Sequence, residues 1–100
     1  MPISKMRPIH PGEILREEFL KPLDMSANAL AIALRVDAPR INDIVRERRA
    51  VTVETAARLA RYFGTSARFW MNLQADYDLK VLEDKSGARI AEEIRPREAA

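Results

Sequence analysis

Residues 26–49, SANALAIALRVDAPRINDIVRERR, carry two helical patterns separated by only Arg35, Val36 and Asp37. Ser26 is a good N-cap, and Leu30, Ala31 and Leu34 then fall on one stripe of a helix. The alanines at 27, 29, 31 and 33 leave room for a neighbouring helix to approach closely. Asp37 suits the N-cap of the next helix, with Ala38 and Pro39 in its first turn, where proline is tolerated. In that second helix Ile41, Ile44 and Val45 share a face, while Pro39, Asn42, Asp43 and Arg46 point away from it. The tight turn between the two patterns constrains the rest of the fold.

One hundred residues suffice for one domain with one core. A chain with 47% hydrophobic and 32% charged residues is neither wholly disordered nor membrane-resident. Its longest apolar run, ALAIAL, is far shorter than the roughly 20 residues that a bilayer requires. The N-terminus carries no signal-peptide pattern, so the chain is expected in the cytoplasm. Without cysteine and with a single histidine, His10, neither a cysteine nucleophile nor a histidine-centred metal site can form, and no cofactor is expected. No nucleophile stands at recognisable spacing from a base, so no enzymatic activity is expected. The net charge of +2 is mild, but its distribution is uneven. Residues 1–50 hold nine basic and seven acidic groups, against eight of each in residues 51–100.

Along the rest of the chain, residues 1–9 read as a loosely attached arm and 10–82 as the folded domain. A first helix starts at Pro11, favoured at its dipole by Glu13, Glu17 and Glu18, buries Ile14, Leu15 and Phe19, and ends near Pro22. His10 reads as a turn or pre-cap residue. Thr52 caps a fourth helix burying Val53, Ala56, Ala57, Leu59, Ala60 and Phe63, and Gly64 stands where a left-handed C-terminal residue is wanted. Ser66 begins a fifth, whose stripe of Phe69, Trp70, Leu73 and Tyr77 is core or, in part, a dimer seam. Residues 83–100 form a charged tail in which Ile90 and Ile94 fit a helix by spacing, with a strand or disorder as alternatives. No segment alternates, so the expected class is all-α.

Two short helices, a tight turn, small residues at the crossing and a polar outer face on the second helix are the ingredients of a helix-turn-helix. The major groove admits one α-helix, and arginine and asparagine pair bidentately with guanine and adenine edges. Arg40 and Asn42 are therefore candidate base readers. Asp43 can accept from a cytosine amino group, or pair within the helix with Arg40 or Arg46. Arg46, Arg48 and Arg49, at the helix end and in the loop, suit phosphates, with Ser26 at the start of the preceding helix as a further phosphate contact.

Three segments, HPGEILREEFL, ALAIALRVDAPRINDIV and RRAVTVETAARLARYFGTSARFWMNLQADYDL, together resemble a HigA-type antitoxin of the XRE (lambda-repressor-like) helix-turn-helix family, over about residues 8–80. The resemblance implies a five-helix, homodimeric DNA-binding domain that represses its own operon at a palindromic operator. It also implies complex formation with a HigB-type toxin, an mRNA-cleaving ribonuclease related to the RelE group. By the family's motif Ala38, Pro39, Arg40, Asn42 and Asp43 face the groove and Arg46 meets a phosphate. The sequence departs from the family where glycine is common. Arg35 occupies the turn and Glu47 follows the recognition helix, where it adds negative charge beside the arginines. Arg68 stands where an acidic residue would better suit a helix N-terminus. A solitary regulator, and a protein-interaction module that has lost DNA, are the alternative readings. The first helix and the arm are the expected toxin-contacting region.

Overall fold

The computed structural model describes residues 7–98 and contains five helices and, among those residues, no strand. Helix α1 begins at Pro11–Ile14 and continues as a π-helical segment over Leu15–Leu20. Helices α2 (Ala27–Leu34), α3 (Ala38–Val45), α4 (Val53–Phe63) and α5 (Ala67–Glu93) follow. No helix of the described residues is long and apolar enough to cross a membrane.

Local chemistry sets most of the helix starts. The Ser26, Thr52 and Ser66 hydroxyls accept from the amides of Ala29, Thr55 and Phe69, each satisfying a donor with no partner inside its helix. His10 caps α1 in the same way, its Nδ1 accepting from Gly12 N at 2.8 Å. Asp37 occupies the N-cap position of α3 with extended backbone, but its carboxylate makes no capping bond. The π segment is closed by Lys21 N donating to Arg16 O at 3.0 Å. That wider turn carries Leu15 and Leu20, five residues apart, into the same core.

Leu15, Leu30, Ile41, Ile44, Ala56, Leu59 and Trp70 are fully buried, and every helix contributes to this core. The aromatic stripe on α5 divides. Trp70 is enclosed, 5.0 Å from Phe19 between ring centroids, and its indole N–H donates to Thr65 Oγ1 at 2.8 Å. Leu73 packs at the core edge, Tyr77 stands edge-on to His10, and Phe69 is partly exposed. On α4, Ala56 and Leu59 are buried as expected, but Val53 and Ala57 face solvent. Val53 is the first residue of its helix, ahead of the turn that meets the core.

Helix α5 runs on from Leu82 to Glu93 without a break, so the segment left open between helix and strand is helical that far. The described part of the arm is held at Arg7, whose guanidinium forks onto the Glu13 carboxylate at 2.9 and 2.7 Å. This pairing holds the Glu13 carboxyl below the usual carboxylate range.

Three helix ends share one device. Asp24, Arg35 and Glu47 each adopt positive φ, at 52°, 60° and 64°. In each case the left-handed residue and its successor donate back to carbonyls of the last turn, for example Arg35 N to Ile32 O at 3.1 Å and Val36 N to Ala31 O at 3.0 Å. Glycine is the ordinary occupant of such a position, and an L side chain there costs on the order of 1 kcal/mol. Arg35→Gly is therefore expected to stabilise the fold by about 1 kcal/mol. A chemical-denaturation midpoint that fails to rise would count against this strain.

Candidate nucleic-acid interface

The crossing of α2 and α3 is built around Ala31, which is buried where the helices approach, and Val36, which packs from the turn against the core. The left-handed Arg35 turns the chain, and Arg58 of α4 donates to Leu34 O at 2.9 Å, satisfying a carbonyl that the end of α2 leaves open. Helix α3 then lies with Ile41 and Ile44 inward. Its outer row is Pro39, Asp43 and Arg46, of which Pro39 and Arg46 are exposed and Asp43 half-buried.

The expected base-contacting residues are all on or beside this face, but not equally free. Ala38 is half-buried against the core. Arg40 leans toward α4, its Nη1 3.5 Å from Glu54 Oε1. Such an exposed pair is worth at most about 1 kcal/mol. Asn42 lies on the α2 side of the helix, where its Nδ2 donates to Asn28 Oδ1 at 2.8 Å and to Ala38 O at 2.9 Å. Asn28 was not singled out by the sequence pattern, because its part depends on the helix crossing. Among the described residues Asp43 makes no ion pair with Arg40 or Arg46.

Of the residues assigned to phosphates, Arg46, Arg48 and Arg49 are exposed, and among the described residues none of their guanidinium groups is in an ion pair. Ser26 is exposed, with its hydroxyl committed to the cap of α2. Glu47, expected to offset the arginines, is turned to α1, where Arg16 Nη2 donates to its Oε2 at 3.2 Å. Arg16 also donates to Val45 O at 2.6 Å and to Glu17 at 3.0 Å, and its carboxylate partners, Glu17 foremost and then Glu47, hold its guanidinium above its ordinary range. The loop after α3 is fixed from two further sides. Buried Gln74 of α5 accepts from Val51 N at 2.7 Å and donates to Asp78 Oδ1 at 2.9 Å. Gly12 brings the start of α1 directly onto the Ile44 carbonyl.

His10 sits under this loop, and burial lowers its pKa below the ordinary 6.5 despite the nearby carboxylates of Glu47 and Asp78. The unfolded chain therefore takes up the proton first. The stability associated with His10 is complete above pH 6.5 and declines as pH falls below it. Thermal midpoints are expected to drop between pH 7.5 and 5.5, and to drop less in His10→Asn, which keeps a capping oxygen but does not titrate. An equal drop in both proteins would remove His10 as the cause.

A capped helix, a Schellman turn, and a second helix presenting a polar row flanked by free arginines, all carried on a helical core, define a helix-turn-helix DNA-binding domain. The chain belongs to the Helix-turn-helix family HTH_3, of the XRE type, whose model matches residues 16–70. The solved structures it is similar to include HigA antitoxins. It is 58% identical to the Pseudomonas aeruginosa antitoxin HigA solved with the higBA promoter, with a TM-score of 0.88 and coverage of 90% of this chain and 98% of that one. Antitoxin GraA in complex with its operator is 48% identical, with a TM-score of 0.89 and coverage of 94% and 95%. Virulence-associated protein I of Dichelobacter nodosus is 58% identical over 88 residues, which are 87% of this chain and 82% of that protein. At the level of the family these are DNA-binding regulators and antitoxins, not enzymes.

Proposed function

We propose that this chain is a cytoplasmic, homodimeric antitoxin that represses its own transcription by binding operator DNA through α3. It also neutralises a HigB-type ribonuclease toxin of the RelE group by complex formation. The observation that carries the reading is the outer face of α3, where a polar row ends in three arginines that make no ion pair among the described residues, on a backbone similar to those of antitoxins solved on promoter and operator DNA. The reading assigns base contacts to Ala38, Pro39, Arg40, Asn42 and Asp43, and phosphate contacts to Ser26, Arg46, Arg48 and Arg49. Arg40 must release Glu54 to reach a guanine.

The homodimer is supported by the outer half of α5, which exposes Leu79, Leu82 and Ile90, with Ile94 exposed at its C-cap. Of the aromatic stripe, Phe69 is the most exposed member and the first to offer a seam, whereas Trp70 is enclosed. Two copies would then meet half-sites about one helical turn apart, or a multiple of that.

The test is a fluorescence-anisotropy titration of duplex DNA from the chain's own upstream region beside a scrambled duplex, at physiological salt. It is run with and without the product of the neighbouring reading frame, whose ribonuclease activity is followed in parallel. Selective binding together with suppression of that activity supports the proposal. Selective binding beside no toxin gene identifies a solitary regulator, and equal weak binding to both duplexes overturns the DNA-binding reading.

A further inference from the structure

Two amides bridge α2 and α3, and their hydrogen bonds fix which way each faces. The Ala38 carbonyl can only accept, so the Asn42 atom 2.9 Å from it is the nitrogen. That nitrogen has two hydrogens, and the second goes to Asn28 Oδ1 at 2.8 Å. Asn42 therefore has no donor left, and its remaining polar atom is the acceptor Oδ1. Asn28 presents its oxygen inward, which turns its NH2 group outward. Among the described residues neither outward atom has a partner.

The result is an acceptor on α3 beside a donor on α2, bordering the face assigned to DNA. A lone asparagine reads adenine by accepting from N6–H and donating to N7. Asn42 cannot do this alone in this arrangement, but the pair offers the same two functions divided between two helices. Guanine offers two acceptors in the major groove, cytosine one donor, and thymine an acceptor and a methyl group. Among single bases adenine alone joins a donor to an acceptor, and 7-deazaadenine substitution distinguishes it from the neighbouring O6 and N4–H of a G·C pair. A phosphate, which only accepts, would be poorly matched by a surface that includes the Asn42 oxygen.

Resting on the DNA-binding reading above, we infer that Asn28 and Asn42 read one adenine jointly in each half-site. Asn42 Oδ1 accepts from N6–H and Asn28 Nδ2 donates to N7. Asn28 is thus a specificity-determining residue outside the recognition helix.

The test measures binding of the full chain to its operator with each base pair changed singly, for the wild type, Asn28→Ala and Asn28→Asp. The aspartate keeps the oxygen that Asn42 needs and removes the donor. Asn28 is exposed, and thermal midpoints report whether the variants remain folded. In the wild type, one adenine per half-site is expected to lose on the order of tenfold in affinity when replaced by 7-deazaadenine, which lacks the N7 acceptor. Asn28→Asp should bind the normal and deaza duplexes equally, while discrimination at other positions persists; Asn28→Ala, which frees an Asn42 hydrogen, reports the loss of the bridge. Uniform weakening of Asn28→Ala at all positions, with the base profile unchanged, would make Asn28 a phosphate contact and overturn the inference. So would an unchanged base profile in Asn28→Asp. A wild type that does not distinguish operator from scrambled DNA would instead bring down the DNA-binding reading itself.

Discussion

Replacing Gly12 by alanine is expected to destabilise the fold by about 3 kcal/mol or more, and to lower the thermal midpoint by over about 10 °C. A Cβ at this position would fall well inside contact distance of the Ile44 carbonyl oxygen and carbon. The obstruction is main chain in the last turn of α3, not the mobile tip of a side chain, and Ile44 O already accepts from Glu47 N at 2.9 Å. Relief therefore requires α1 to lift from α3, which also disturbs the His10 cap on Gly12 N and the Arg16 bond to Val45 O. Circular dichroism melts of the two proteins provide the measurement. An unchanged midpoint would mean that α1 tolerates a shift that this packing forbids. Operator affinity should fall with stability, because the contact lies against the helix assigned to the groove.

The second large effect is expected in salt dependence. Each phosphate neutralised by a basic side chain contributes about 0.9 to the slope of log affinity against log salt concentration. If Arg46, Arg48 and Arg49 each hold one, exchanging all three for glutamine should flatten that slope by about 3 per protomer. Stability should change little, because the three are exposed and, among the described residues, without ion pairs. Arg68, exposed in the first turn of α5, serves as the control whose exchange should leave the slope alone. A triple variant with the wild-type slope would remove these side chains from the phosphate backbone.

What was legible in the sequence was what depends on neighbours along the chain. Ser26, Thr52 and Ser66 cap their helices and Gly64 closes α4 because a cap bond spans only a few residues. The two short helices, their tight turn and the inward Ile41 and Ile44 followed from periodicity. What stayed hidden depends on chain segments meeting in space. Nothing local marks Gly12 as the point where two helices touch, or Gln74 as the anchor of a loop 23 residues earlier. Asp37 illustrates the limit from the other side, since a favoured residue in the right position leaves its carboxylate uncommitted. The π turn escaped for a related reason. Its Leu15 and Leu20 satisfy no α-helical spacing, and only the shared core requires both to face inward.

The three left-handed helix ends have a consequence for how the molecule can change. Aspartate, arginine and glutamate codons all stand a single nucleotide from a glycine codon. At Asp24, Arg35 and Glu47 the residue that relieves the backbone is therefore reachable by the smallest genetic step. At Asp24 and Arg35 that step sacrifices no ion pair among the described residues, whereas at Glu47 it would remove one partner of Arg16. The backbone thus permits a more stable protein than this sequence makes, and point mutation alone separates the two.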